Sequence, residues 1–177
     1  RITPVFGNKN QGNVKEAGAF YIPFIIEPSF SSEEKEHFRN DKINLLCVGR
    51  YEERKNLFLL LDMFRNLAQK YPIRLTIVGE ALDERQKEYY KKLKQAVQEY
   101  QMEDRVILLQ NFHREQVFAE YRKADLFILP STRERASISQ LEAMSCSLPV
   151  ICSNTNGSSC YVENGINGYL FQYNNRQ

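Results

Sequence analysis

The chain has 177 residues, of which 42% are apolar and 26% charged, with a formal net charge of +2. Such a length and apolar share bury one substantial core, and so small and evenly spread a charge excludes a basic face for nucleic acid. The most apolar helical run, residues 57–64, carries Asp62 and falls far short of the roughly twenty residues that span a bilayer, and neither a signal peptide nor a polybasic tail is present.

In chain order, Gly7, Asn8, Asn10, Gly12 and Asn13 read as a loop. Residues 20–26 are strand-like but interrupted by Pro23, and residues 31–39 begin a charged helix capped by Ser31 or Ser32. From residue 43 strand and helix alternate. The apolar run Ile43–Val48 ends at Gly49, and Leu57, Leu60, Leu61, Phe64 and Leu67 recur at helical spacing as far as Lys70. Residues 73–78 form a second strand, stopped by Gly79. A charged helix over 83–100 has Tyr89 or Tyr90, Leu93, Val97 and Tyr100 as its inward stripe. A third strand over 106–109 is followed by a short helix over 115–124. Two apolar runs, 125–130 and 148–152, give two more strands. Between them Ser137 and Gln140 form an S-x-x-Q capping box, with Ile138, Leu141 and Met144 on one face of the helix they start. Gly157, Asn164, Gly165 and Gly168 read as turn residues.

Strands that are apolar on both faces, each followed by an amphipathic helix, imply a doubly wound, Rossmann-like parallel sheet covered on both sides. This domain is expected over residues 41–177, with residues 1–40 a segment packed on it. Because the chain begins with Arg1, it reads as a piece of a longer protein. Cys47, Cys146, Cys152 and Cys160 lack C-x-x-C spacing and read as buried free thiols of a reducing cytosol. His37 and His113 lie in unrelated contexts, so neither a zinc site nor a histidine-centred triad is assembled.

Chemistry concentrates where strands end. Glu134 falls on the loop after one strand and Glu142 in the second turn of the capped helix, whose free amides and dipole attract an anion such as phosphate. Gly49, Arg50 and Lys55 form a G-R-x4-K group after the first strand. Two cations before a helix oppose its dipole and so need an anion between them.

The residues Glu134, Glu142, Ala143, Met144, Pro149 and Val150 resemble the E-x7-E, A-M and P-V donor motif of retaining glycosyltransferases of family 4. Glu80 and Glu88 share the spacing but not the strand, loop and capped helix around it. The resemblance covers about residues 20–172 and implies the carboxyl-terminal half of a two-domain GT-B enzyme. It implies a diphosphate site at Gly49, Arg50, Lys55, Ser137 and Ile138, ribose contact by Glu142, and base contact by Gln110, Asn111 and Phe112. Glu134 would be the catalytic acid, in contact with the transferred sugar or its leaving phosphate side. It implies a nucleotide sugar as substrate, no cofactor and no metal ion. The implied partners are an amino-terminal acceptor domain of the same protein, joined near residues 21–24, and a saccharide or lipid-linked acceptor. The setting implied is bacterial polysaccharide or glycolipid synthesis, cytoplasmic, and peripheral to the inner membrane through the acceptor domain. Arg135, Ser137 and Ser147 stand where that family often has glycine, and Ala81 where glycine follows Gly79 and Glu80. Two other readings fit the same residues: a GT-B sugar-nucleotide 2-epimerase, and a non-catalytic nucleotide-binding domain.

Overall fold

A strand with apolar side chains on both faces needs cover on both sides, and alternating helices supply it here. The computed structural model describes residues 37–38, 42–132 and 134–173. Its elements run β1 (Ile43–Val48), α1 (Leu57–Ala68), β2 (Ile73–Gly79), α2 (Glu84–Glu99), β3 (Val106–Gln110) and α3 (Arg114–Lys123). There follow β4 (Leu126–Leu129), α4 (Ile138–Ser145), β5 (Val150–Ser153) and β6 (Gly168–Phe171), with short 3-10 turns at Glu53–Lys55 and Gly157–Tyr161. The sheet order is β3-β2-β1-β4-β5-β6, and every pairing is parallel. The chain leaves β1 toward β2 and β3 and then returns to the other side of β1 as β4. At that reversal the loops after β1 and β4 diverge and leave a crevice at the carboxyl edge of the sheet.

Alternation along the strands sorts the core into two layers. Leu45, Cys47, Leu75 and Ile77 meet Leu61 and Phe64 of α1 and Leu93 and Val97 of α2. Leu46, Val78, Phe127, Leu129 and Val150 meet Phe118 and Tyr121 of α3 and Ala143 of α4. Leu93 has no accessible surface, so Leu93→Ala costs about 2–5 kcal/mol through lost contacts and the cavity left behind.

From residue 43 onward the expected strands and helices are present, with ends shifted by a residue or two. Asp83 caps α2, its Oδ1 accepting the Gln86 N–H at 2.8 Å. Tyr89 is the buried member of the stripe, while Tyr90 stacks edge-on against Tyr51 at 4.9 Å. Five expectations from residue 43 onward need correction. Leu67 is 44% exposed, because α1 turns it off the sheet after Phe64. On α4 the buried positions are Gln140 and Ala143, whereas Ile138 is 55% exposed. The capping box is half made: Ser137 Oγ accepts the Gln140 N–H at 3.2 Å, but the Gln140 side chain is held by Asn156 and Ser158 instead of returning to residue 137. Gly168 opens a sixth strand; a Cβ there would come 2.0 Å from Val150 O, so this glycine permits close strand approach. Cys160 is exposed, unlike the other three thiols. The loop and strand read within the first thirty residues lie outside the described residues. Of the helix read over 31–39 only His37 and Phe38 are described, and they are not helical: Phe38 has φ 60° and its N–H donates to Asp125 at 3.0 Å.

Candidate functional site

Beyond Val48 the chain passes Gly49, enters the 3-10 turn and crosses Asn56, at φ 51°, into α1. This turn folds Lys55 inward until it is 6% exposed, against Gly49, where a Cβ would sit 3.2 Å from Nζ. The ammonium donates to Glu134 Oε2 at 2.8 Å, and Arg54 Nη1 donates to the same oxygen at 2.8 Å. Burial alone raises the Glu134 carboxyl, but the hydrogen bonds and charges of Lys55 and Arg54 outweigh it and hold the group below its ordinary value. The loop after β4 thus supplies an anion to Lys55 and to Arg54, but not to Arg50. Arg50 pairs with Glu80 at 3.3 Å with both side chains more than half exposed, a pairing that contributes little to stability.

The loop carrying Glu134 is fixed from two sides. Toward β1, the Thr132 N–H donates to Arg54 O and Asn56 Nδ2 to Pro130 O, both at 3.0 Å. Toward β5, the Gly157 N–H donates to Glu134 O at 2.8 Å, and a Cβ at Gly157 would lie 1.7 Å from Arg135 O. Only glycine fits there. Behind it a buried polar chain links Asn156 Nδ2 to Gln140 Oε1 (2.7 Å), Gln140 Nε2 to Ser158 O (2.9 Å) and the Ser137 N–H to Ser158 Oγ (2.7 Å). Each buried polar group so paired escapes the cost of an unmade hydrogen bond, about 1–3 kcal/mol. The Ser137 amide is thus already engaged, whereas the amides of Ile138 and Ser139 belong to the first turn of α4 and have no intrahelical partner.

Glu142 occupies the second turn of α4. Tyr121, which has no accessible surface, shares its one hydroxyl proton between Glu142 Oε2 at 3.2 Å and Ser139 O at 3.0 Å. Arg114, lying 4.9 Å over the Phe118 ring, reaches Glu142 Oε1 at 3.4 Å. Burial raises the Glu142 carboxyl above its ordinary value, an effect that Tyr121 and Arg114 only partly offset.

One cleft of about 530 Å³ at the switch point is lined by Gly49, Arg50, Lys55, Phe112, Glu134, Ser137, Ile138 and Glu142, which the sequence singled out, and by Arg54 and Arg114, which it did not. Gln110 and Asn111 do not line it. Asn111, at φ 57°, instead closes the turn after β3: its N–H donates to Gly79 O and its Oδ1 accepts the Ala81 N–H, both at 2.9 Å. Tyr121, Asn156, Gly157, Ser158 and the side chain of Gln140 are the supports that sequence reasoning missed. The seven-residue separation of Arg114 and Tyr121 was a usable signal, since it stacks them two turns apart on one face of α3. Among the described residues no three His, Cys, Asp or Glu side chains gather into a metal-holding group, and no helix is long and apolar enough to cross a membrane.

A doubly wound sheet with a charged cleft at its switch point is the Rossmann-like α/β architecture of the GT-B glycosyltransferases, and solved structures of that kind match it. HepE of Anabaena, solved in complex with UDP and glucose, superposes with a TM-score of 0.64 at 28% identity, over 75% of this chain and 35% of that one. Mannosylfructose-phosphate synthase of Agrobacterium fabrum is 33% identical over 110 residues, 60% of this chain and 24% of that protein. Lipopolysaccharide 1,2-N-acetylglucosaminetransferase of Salmonella typhimurium is 31% identical over 147 residues, 80% of this chain and 38% of that protein. The model of the family glycosyl transferases group 1 matches residues 29–177, and the chain belongs to that family. It spans no more than 38% of the length of these two relatives.

Proposed function

We propose that this chain is the donor-binding part of a retaining glycosyltransferase of family 4 that takes a nucleoside diphosphate sugar without a metal ion. The observation that carries the reading is the gathering, in one cleft, of Arg50 and Lys55, the first-turn amides of α4 and the carboxylate of Glu142. Lys55 and Arg50 neutralise the diphosphate, Lys as a point charge and Arg through a planar fork. The Ile138 amide and the α4 dipole add to them, with Ser137 as the cap that starts the helix. Glu142 accepts the ribose hydroxyls, Phe112 flanks the base, and Glu134 meets the transferred sugar. In the transfer, the bond from the anomeric carbon to the diphosphate oxygen breaks with its electron pair going to the diphosphate. The acceptor hydroxyl forms the new bond on the same face, and its proton passes to the departing diphosphate. The cations act on the charge that develops there, so they assist the transition state more than the ground state.

The complex of HepE with UDP and glucose supports this reading of the cleft. The rest of the longer protein would carry the acceptor domain, with residues 1–40 at the join. It would act on a saccharide or lipid-linked acceptor at the cytoplasmic side of a membrane. A thermal-shift panel of UDP, GDP, ADP and their sugar conjugates, each with magnesium or with EDTA, tests the proposal. At least one diphosphate should raise the midpoint by mass action, equally in both buffers. A strict metal requirement, or no shift with any of them, would sink it.

A further inference from the structure

Beside the Arg50 and Lys55 of the diphosphate clamp the cleft is lined by two further cations, Arg114 at Glu142 and Arg54 at Glu134. Lys55 and Arg54 both donate to Oε2 of Glu134, and Oε1 accepts no hydrogen bond from the described residues. The Lys55 side chain is 8% exposed and the Glu134 side chain 9%. An arriving diphosphate therefore shares the Lys55 ammonium with Glu134, and whatever it draws of that ammonium weakens the hold on the carboxylate. A carboxylate left without a partner at that depth costs several kcal/mol, so it would either withdraw the lysine from the ligand or leave its own position.

Arg54 resolves the conflict by its place in the fold. Its guanidinium is held between two acids, Glu52 at 2.6 Å and Glu134 at 2.8 Å. Its carbonyl accepts the Thr132 N–H at 3.0 Å, which ties the loop after β1 to the loop that carries Glu134. A fork held by two carboxylates has less to offer a phosphate than Arg50, whose partner among the described residues is the exposed Glu80. We propose that Arg54 is a positioning residue: it retains the Glu134 carboxylate, with Oε1 turned over to the sugar, when Lys55 passes to the donor diphosphate. The inference rests on the donor-site reading above and assigns no substrate contact to Arg54.

The test uses the full-length protein and the variants Arg54→Ala, Arg54→Lys and Lys55→Ala. UDP, GDP and ADP are titrated by calorimetry, and consumption of UDP-, GDP- and ADP-glucose is followed by nucleotide release. Arg54→Ala should keep its diphosphate affinity within about twofold while its kcat for donor consumption falls about tenfold or more, the pattern of a lost interaction made only in the transition state. Arg54→Lys, which keeps one cation beside Glu134, should recover most of that loss. An Arg54→Ala variant that binds diphosphate as weakly as Lys55→Ala would make Arg54 a phosphate ligand and overturn the inference, as would an unchanged kcat. If Lys55→Ala itself leaves diphosphate affinity untouched, the donor-site reading falls and the Arg54 inference falls with it.

Discussion

Glu134 and Glu142 come from one short stretch of chain and line one cleft, yet their surroundings push them in opposite directions. Burial raises both carboxyls. At Glu134 two cations more than offset it, while at Glu142 a tyrosine hydroxyl and a mostly exposed arginine do not. The difference lies in the partners: a lysine ammonium with 8% exposure is a far stronger counter-charge than a guanidinium with 66%. The same side chain is thus kept ionised at one end of the cleft and brought nearer to neutrality at the other.

The sharpest way to break this contrast is Lys55→Ala. It leaves the Glu134 carboxylate on Arg54 alone, and the loss of one charge-assisted hydrogen bond together with the packing of the buried lysine stem costs about 2–4 kcal/mol. Urea denaturation should show that loss, and diphosphate affinity should fall by about 1.5–3 kcal/mol. A stability change too small to resolve would mean that the pair is not buried in solution.

Glu134→Gln should come next, at about 1.5–3 kcal/mol near neutral pH, because two charge-assisted hydrogen bonds lose their charge. The folded pKa of Glu134 lies below the unfolded one, so its contribution is complete above the ordinary carboxylate range and disappears as pH falls through the depressed value. The difference in stability between parent and variant should follow that course when measured from neutral pH downward.

Glu142→Gln should differ in sign as well as size. With the folded pKa raised, its contribution is present below the ordinary carboxylate range and is lost as pH rises through the raised value. At neutral pH the substitution should therefore be neutral or stabilising by up to about 1 kcal/mol. It should weaken ribose-containing nucleotides more than their 2′-deoxy counterparts, a comparison that isolates the contact as a double-mutant cycle does. Equal losses for both nucleotides would remove Glu142 from the ribose.

Arg114→Ala is the mildest change, within about 0.5 kcal/mol in stability as expected of an exposed pair. A loss as large as that of Lys55→Ala would erase the distinction between the two corners.

The sequence carried the fold well because its strands are apolar on both faces and are punctuated by Gly49, Gly79 and Pro130. β6 escaped notice because its four residues follow Asn164 and Gly165 and begin with a glycine, so turn chemistry masked a short edge strand. The face of α4 was misjudged for a related reason. Hydrophobicity assigns Ile138 to the core, whereas the fold buries Gln140 because Asn156 and Ser158 satisfy its amide from a segment far along the chain. At the site, the acids were legible through their strand-loop-helix context. Arg54 and Arg114 were not, since an arginine at a helix start looks the same whether it faces solvent or a carboxylate brought from 28 or 80 residues away.

The burial of the thiols turns the molecule into its own unfolding recorder. Cys47, Cys146 and Cys152 are buried in or beside the core, and burial pushes the Cys47 thiol up to about 12 and that of Cys152 to about 11. Cys160 is exposed beside Gly157, the residue that straps down the Glu134 loop. An alkylating reagent at neutral pH therefore meets one accessible thiol in the native state, while the other three gain mass only as the structure opens. Because Cys47 sits on β1 and Cys152 on β5, the order in which they are labelled tells whether the two sides of the sheet come apart together or in turn.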